Sequence, residues 1–492
     1  MGQRQALYMA LVAARVLLAL SPAYIHPDEY FQAPEIAASD ILGVDALRTW
    51  EFTAESPIRS IVPIHLFSGT PLIVLKLIQR LLAHCGCLWE LTPWLLFCST
   101  RIFACMVSFA VDICVVRAIQ RQYPGARVHA TRALLATSYC LAVFHSHTFA
   151  NSFASAVLAL SFDLLSNIES NAWKPASRST LIRVCALLGV SLAFGTFTHI
   201  SFPMFALPIG LVAAIMLLRA RSRAGLATMG VGGLLTALLI TLVDSLYYGT
   251  LQLRIVDGIP HVSGTLTCTV LNNVFYNSNH ENLATHGIHS RLRHLLISVP
   301  TLFGPLAILA VLKLWAFVKF PSMQNHVSFL TASAAVSALS GLGILSLAPH
   351  QEPRFLMPMF PALAICTWRW HRMAPGYFWR VWIAFNVVLA VGYGVVHQAG
   401  VVPAIAFISR TSSLSTIQCR LTAIDSVVCA DTRRAFEVGE HVNNPRVKTR
   451  VLLFASYMAP RHLLAQPEFN GSYFSGETCR MDCFRHPATQ KL

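Results

Sequence analysis

Charged residues are scarce in this 492-residue chain. Only 12% of its residues are charged and only 22 are acidic, whereas 55% are hydrophobic and the mean hydropathy is +0.57. This composition excludes a soluble protein of several domains. It predicts an all-α polytopic membrane protein.

Several sequence motifs are missing as well. The chain contains no glycine-rich loop that would cradle a phosphate, no zinc-protease helix and no nucleophile elbow. These absences argue against nucleotide-driven chemistry. The chain also shows no internal repeat, which argues against the inverted-repeat architecture of many transporters.

The hydrophobic segments predict about eleven membrane spans. The first segment is similar to a signal peptide, but no small-residue cleavage site follows it, so we expect it to be retained as a span. The predicted spans lie near residues 6–22, 94–116, 133–148, 151–167, 184–199, 202–218, 224–246, 295–317, 326–347, 356–371 and 380–398.

Basic residues are clustered in short connectors between these spans. The net charge is +15, and the positive-inside rule places the connectors and the amino terminus in the cytosol. This assignment requires residues 61–83 to dip into the membrane or lie flat on it rather than cross. Pro63, Gly69 and Pro71 are expected to break a helix there.

One polar stretch, residues 23–35, stands out directly after the first span. It concentrates three carboxylates, one imidazole and two prolines. Pro27 fixes its own φ and favours extended backbone at His26, so Asp28 and Glu29 follow from a defined bend. A carboxylate held there can act as general base on a hydroxyl. A solvated loop beside a span is the alternative interpretation.

Other polar segments are predicted on the same, non-cytosolic face. They include the hairpin tip at residues 145–147, the turn at 198–203 and the loop at 247–294. That loop is rich in amides, histidines and arginines, which bind sugar hydroxyls and phosphate oxygens; lipid head groups are the alternative partners. In the short loop at 349–354, Arg354 suits a leaving phosphate because its planar fork makes paired bonds.

Two charged residues fall within one predicted span. Arg101 and Asp112 lie eleven residues apart, about three helical turns, so they cannot contact each other. We expect both to be structural and to face neighbouring helices, because an unpaired charge inside a membrane is costly. The alternative for Arg101 is a contact with a lipid phosphate.

The tail from about residue 400 is predicted to be lumenal. Its four cysteines allow two disulfides in an oxidising compartment, with pairing that the sequence leaves open. A glycosylation sequon at Asn470 agrees with this placement. The four cysteines are Cys419, Cys429, Cys479 and Cys483.

Several motifs resemble the dolichyl-phosphate-mannose-dependent mannosyltransferases of the endoplasmic reticulum, glycosyltransferase family 22. These motifs are residues 26–32, 49–52, 57–60 and 350–355. Within the family, residues 282–291, 397–403 and 457–463 are similar to the members that add the fourth mannose to the glycosylphosphatidylinositol (GPI) precursor. One departure concerns the hairpin near residue 151, where His147 and Ala154 replace an arginine and a glutamate of many relatives.

The resemblance implies the GT-C glycosyltransferase fold. The expected organisation is a multispanning catalytic domain at 1–399 and a lumenal region at 400–492, with large lumenal loops near 23–93 and 247–294. The active site and carboxyl terminus are expected in the lumen of the endoplasmic reticulum.

The resemblance also implies an activity: inverting transfer of an α-1,2-linked fourth mannose from dolichyl-phosphate-mannose to a GPI lipid, without a metal or other cofactor. Asp28 is the expected general base, with Glu29 as the second candidate. The residues expected to bind substrate are His26, Gln32, Arg59, His286, His289, Arg291, His350, Glu352 and Arg354.

Three alternatives remain open. A sibling enzyme would add the third GPI mannose or act on the dolichol-linked oligosaccharide. A protein of another class, a lipid transporter or scramblase, would also have many spans and buried charges. An accessory subunit with a degenerate site is disfavoured because the acidic stretch is intact.

Overall fold

We describe the protein from a computed structural model. The structure describes residues 3–53, 55–87, 89–174, 178–256, 259–285, 287–320, 327–412, 417–421, 427–431 and 457–464. These residues are predominantly helical, with two small two-stranded antiparallel sheets.

The described residues of the amino-terminal half form thirteen α-helices. In chain order they are α1 (Gln3–Ala19), α2 (Asp28–Phe31), α3 (Pro34–Leu42), α4 (Trp50–Thr53), α5 (Ile61–Ile64), α6 (Thr70–His84), α7 (Pro93–Gln122), α8 (His129–Thr137), α9 (Tyr139–Ala142), α10 (Ala150–Asn171), α11 (Arg178–Thr198), α12 (Phe202–Arg219) and α13 (Arg223–Tyr247).

The described residues of the remainder form four strands and nine further α-helices. They are β1 (Leu251–Val256), β2 (Ile259–Gly264), α14 (Thr269–Ser278), α15 (His280–Thr285), α16 (Val299–Phe303), α17 (Pro305–Lys319), α18 (Phe329–Leu347), α19 (Met359–Cys366), α20 (Trp368–Met373), α21 (Gly376–Val391), α22 (Val401–Ser412), β3 (Ile417–Leu421) and β4 (Val427–Asp431). Short 3-10 turns form at Phe144–Ser146, Pro353–Leu356 and Arg461–Leu464, and π-helical turns at His65–Gly69, His294–Ser298 and Gly392–Val396.

Many of these helices are long and apolar enough to cross a membrane. Among the described residues, seven helical segments qualify, or up to nine if each of two sharply bent helix pairs forms one span. The bent pairs are Tyr139–Ser146 with Ala150–Asn171 and His294–Phe303 with Pro305–Lys319. The protein is therefore a multi-pass membrane protein, and the total of about eleven spans stays a prediction.

The segment at 61–83 differs from expectation. Helical structure continues from Ile61 to His84, so the predicted helix break at the prolines is wrong. Pro63 lies in the first turn of α5, where its missing N–H has no intrahelical partner to lose. Pro71 is the second residue of α6, shortly after the π-helical turn at His65–Gly69.

Small residues allow the central helices to pack closely. A Cβ atom at Gly189 of α11 would lie 1.9 Å from the carbonyl oxygen of Met229 in α13, so only glycine permits this approach. Two buried apolar clusters result: a large one among the helices around α7 and α10, and a smaller one that joins α3 to the start of α7 and to the segment Tyr457–Leu464. The smaller cluster includes Tyr24, Tyr30 and Phe31 of the polar stretch at 23–35.

Both charged residues predicted within a span are buried and paired. Arg101 bonds Glu29 at 3.0 Å, and Asp112 of α7 bonds Arg15 of α1 at 3.0 Å. The prediction that they face neighbouring elements is confirmed, and the alternative of a lipid contact for Arg101 is wrong, because its side chain is fully buried.

The tail is described only in part. In the register of β3 and β4, Cys419 lies opposite Cys429. Cys479, Cys483 and Asn470 lie outside the described residues, so the predictions of disulfides and glycosylation stay predictions.

Candidate functional site

The two adjacent acids of the polar stretch point in different directions. Pro27 precedes the single helical turn α2, with φ of −50° and ψ of −37°. Successive residues of a helix are rotated by about 100°. Asp28 therefore faces Arg354 of the loop at 350–354, while Glu29 faces Arg101 of α7.

Asp28 lies at the centre of a polar network. Its Oδ2 atom is 2.5 Å from Nη2 of Arg354 and accepts a hydrogen bond of 2.5 Å from Nε2 of Gln32. Its Oδ1 atom is 3.5 Å from Nδ1 of His26. The side chain remains 23% exposed, so a substrate can reach this carboxylate.

The loop at 350–354 supplies the opposite side of this network. Glu352 contacts Nε of Arg354 and lies 2.9 Å from Nε2 of His350. Oε2 of Glu352, the oxygen that contacts Arg354, is also 3.8 Å from Nε2 of His26. Arg354 thus joins two carboxylates from separate parts of the chain, as expected for a guanidinium fork.

Charge pairing keeps both carboxylates ionised. Burial raises the pKa of Asp28, but the charge of Arg354 and the interactions with His26 outweigh burial and hold this pKa below its ordinary value. The pKa of Glu352 is likewise lowered, because Arg354 and His350 outweigh its burial. A base that is deprotonated at neutral pH is therefore available.

A second ion pair extends the network. Arg59 donates through Nε and Nη2 to Oε1 of Glu51, at 3.0 and 2.9 Å, and Gln32 lies 3.5 Å from the same oxygen. The sequence indicated Arg59 as a site residue but not Glu51, although Glu51 belongs to one of the family-like motifs. The signal that the sequence interpretation missed is that a half-buried arginine requires an acidic partner.

The backbone that carries Arg59 is fixed from α13 and α14. Asp244, fully buried, accepts hydrogen bonds of 3.0 Å from the Ser60 hydroxyl and from the N–H of Ile61. The side-chain amides of Asn272 and Asn273 donate to the carbonyl oxygens of residues 57 and 58 at 2.9 and 3.1 Å. The long loop therefore positions the segment at 57–61.

Glu29 occupies a closed environment. Its carboxylate lies 3.0 Å from Nη2 of Arg101 and 2.6 Å from Nδ1 of His147, and all three side chains are fully buried. Thr148 also donates to its backbone carbonyl. The predicted hairpin tip is thus a buried partner of the acidic stretch rather than an open loop, and Glu29 is shielded from substrate.

Of the three predicted site residues between 286 and 291, the structure places one, His289, against the loop at 350–354. His289 accepts through Nδ1 a hydrogen bond of 3.3 Å from the N–H of Gln351, and its ring centre is 5.6 Å from that of His350. Arg291 is exposed and makes no ion pair or side-chain hydrogen bond with the described residues of the site. His286 lies outside the described residues.

The segment Tyr457–Leu464 packs against the acidic stretch. Glu35, fully buried, accepts hydrogen bonds from the N–H groups of Arg461 and His462 at 2.5 and 3.3 Å. The ring of Tyr457 lies 6.3 Å from that of His26. This segment therefore forms one wall beside the site, which the sequence indicated only through its motif.

One buried histidine near the site was not predicted as a site residue. His199 is buried, with its ring centre 5.9 Å from that of Phe355.

No group of three or more His, Cys, Asp or Glu side chains in the described ranges is arranged to hold a metal ion. The expectation that no metal is needed stays a prediction.

The site places a carboxylate and a guanidinium side by side in a multi-pass membrane protein. The chain matches the solved structure of ArnT from Cupriavidus metallidurans bound to undecaprenyl phosphate, with a TM-score of 0.53 at 13% identity, over 82% of this chain and 65% of that one. This likeness confirms the predicted GT-C fold.

The chain belongs to the Alg9-like mannosyltransferase family, whose model matches residues 6–454. It is 33% identical over 415 residues to GPI mannosyltransferase 4 of Aspergillus oryzae, covering 84% of this chain and 72% of that protein. The protein of the same name from Schizosaccharomyces pombe is 28% identical, covering 94% and 76%. The predicted family resemblance is confirmed, and these relatives support a role in GPI mannosylation.

Proposed function

We propose that this enzyme transfers the fourth mannose, through an α-1,2 linkage, from dolichyl-phosphate-mannose to the third mannose of a GPI precursor at the lumenal face of the endoplasmic reticulum. The observation that carries the proposal is an accessible, ionised Asp28 paired with Arg354 at 2.5 Å, in a chain whose relatives are GPI mannosyltransferases. The names of those relatives support the acceptor.

In the proposed reaction, Asp28 takes the proton of the acceptor hydroxyl as its oxygen attacks the anomeric carbon. The new carbon–oxygen bond forms on the face opposite the phosphate, and the bond to the phosphate oxygen breaks. A β-linked donor therefore gives an α-linked product by inversion, without a covalent enzyme intermediate.

The leaving phosphate retains the electron pair of the broken bond. Arg354 stabilises this negative charge. His350 lies in the same loop as Arg354, and the ring of His289 lies beside that of His350, so both histidines can assist. His26, Gln32, Arg59 and Glu352 orient substrate hydroxyls or the two charged groups. No metal and no other cofactor takes part in the proposed reaction.

The test uses cells that lack the fourth-mannose enzyme. Wild type, Asp28→Asn and Glu29→Gln are expressed at equal levels, and labelled GPI lipids are resolved by mannose number. Wild type should convert the three-mannose lipid to the four-mannose lipid, whereas Asp28→Asn should not. If wild type leaves the three-mannose lipid unchanged, the acceptor is wrong, and the sibling substrates are tested next.

A further inference from the structure

The hairpin formed by β1 and β2 has one strongly apolar face. Leu253 pairs with Val262 in the antiparallel register, and Ile255 follows two residues later on the same face. These side chains are 60%, 63% and 81% exposed, respectively. Three large apolar side chains are thus presented side by side outside the helix bundle.

The opposite face of the hairpin is polar. Arg254 pairs with His261 in the register, and Gln252 pairs with Ser263. Nη2 of Arg254 donates to Oε1 of Gln252 at 2.7 Å. An isolated two-stranded hairpin is marginally stable in water, so its apolar face requires a cover.

The position of the hairpin indicates what this cover is. The strand β1 begins at Leu251, shortly after the membrane-length helix α13 ends at Tyr247. Exposed leucines follow one stripe of α13 toward this end, and two tyrosines terminate it, as is typical of a membrane interface. The stripe consists of Leu234, Leu238, Leu242 and Leu246, which are 60%, 52%, 41% and 38% exposed.

We propose that the β1–β2 hairpin lies on the lipid bilayer, with its Leu253, Ile255 and Val262 face in the boundary between head groups and acyl chains. Its polar face then points to water, as in other amphipathic segments at this boundary. The hairpin follows directly on α13, whose exposed leucine stripe runs toward the same end. This inference is independent of which mannose the enzyme transfers.

The hairpin also lies between two elements that hold the site. Asp244 near the end of α13 and Asn273 of α14 both bond the segment at 57–61, which carries Arg59. The hairpin connects these two helices. Bilayer contact at the hairpin would therefore fix the loop that positions Arg59 relative to the membrane containing the lipid substrates.

Photocrosslinking with matched positions tests the proposal. The full-length chain carries p-benzoylphenylalanine in place of Ile255 or, as a control on the opposite face, in place of Arg254, and is reconstituted into phosphatidylcholine vesicles containing radiolabelled lipid. We expect lipid adducts with the probe at position 255 and several-fold fewer with the probe at position 254. Leu253 is replaced in the same way, so that the result does not depend on one substitution.

Three outcomes would overturn the proposal. Equal lipid labelling at the two faces would show that the hairpin is not oriented on the bilayer. Adducts at position 255 with a second copy of the chain would assign the face to an oligomer contact. The probes at positions 253 and 255 could both give no lipid adducts, in protein that is as monodisperse on elution as wild type. This result would place the hairpin away from the bilayer.

Discussion

Asp28 and Glu29 are neighbours in sequence but occupy opposite environments. Asp28 is partly exposed and shares Arg354 with a second carboxylate, whereas Glu29 is fully buried between Arg101 and His147. We therefore expect the same side-chain chemistry to serve two purposes. An accessible paired carboxylate is available for proton transfer, and a buried paired carboxylate ties the acidic stretch to the helix bundle.

The largest expected effect is on catalysis by Asp28→Asn. An amide of the same shape keeps the contact with Gln32 but cannot take a proton, so kcat should fall by about 10²- to 10⁴-fold. Thermal stability should change little, since Arg354 retains Glu352 as a partner. Measuring kcat with the purified enzyme checks this, and near-normal turnover would show that another group is the base.

Glu29→Gln should instead act on stability. Removing one charge leaves Arg101 buried without its counter-ion, and we expect a loss of about 3–5 kcal/mol of folding free energy. Denaturant unfolding in detergent measures this loss. The double variant Glu29→Gln with Arg101→Met should recover part of it, because the unpaired charge is gone. A Glu29→Gln enzyme that is fully stable but inactive would contradict the assignment of Glu29 to stability and of Asp28 alone to proton transfer.

The pH dependence should change with Arg354→Gln. Arg354 lowers the pKa of Asp28, so we expect the wild-type base to stay ionised and activity to persist at pH values below the ordinary carboxyl pKa of 3.8. Without Arg354, burial raises this pKa, and kcat/KM should start to fall at higher pH. The control Arg59→Gln should shift the acid limb less, and identical limbs in all three enzymes would contradict the assignment.

A smaller effect is expected from Gln32→Met. This change removes the donor that lies 2.5 Å from Oδ2 of Asp28 while keeping side-chain length. Hydrogen bonds to charged groups contribute about 1.5–3 kcal/mol, so kcat/KM should fall by roughly tenfold or somewhat more. Steady-state kinetics measures the change, and an unchanged value would remove Gln32 from the site.

Chelation of divalent metals should have no effect. If Asp28 is a base rather than a metal ligand, EDTA treatment leaves the transfer rate unchanged. The assay compares treated and untreated enzyme in the same detergent. If EDTA abolished activity and a divalent cation restored it, Asp28 would be a metal ligand rather than a base. The contrast with Glu29 would then no longer hold.

Part of this site could be predicted from sequence. The bend after Pro27 and the residues Asp28, Arg59 and Arg354 were indicated by local motifs, and the structure brings their segments together. The inward rotation of Glu29 was not predicted, because adjacent acids look equivalent until the helical turn α2 assigns them to different sides. The costly buried Arg101 was the available signal that an acid nearby must be its partner.

Two other differences from the sequence predictions remain, one local and one long-range. The prolines at 63 and 71 were expected to break a helix, but Pro63 lies in a first helical turn and Pro71 shortly follows a π-helical turn, so helical structure continues through both. The pairing of Glu35 with the N–H groups of Arg461 and His462 joins residues more than 400 positions apart. No local pattern predicts such a contact, because it depends on how the tail packs against the first loop.

The most direct test is a cryo-electron microscopy structure of Asp28→Asn in nanodiscs with donor and acceptor lipids bound. The account predicts that the acceptor hydroxyl lies about 2.6–3.2 Å from the side chain at position 28. The donor phosphate should contact Arg354, and Glu29 should remain 3.0 Å from Arg101. An acceptor hydroxyl bound to Glu29, or a phosphate bound away from Arg354, would contradict the account.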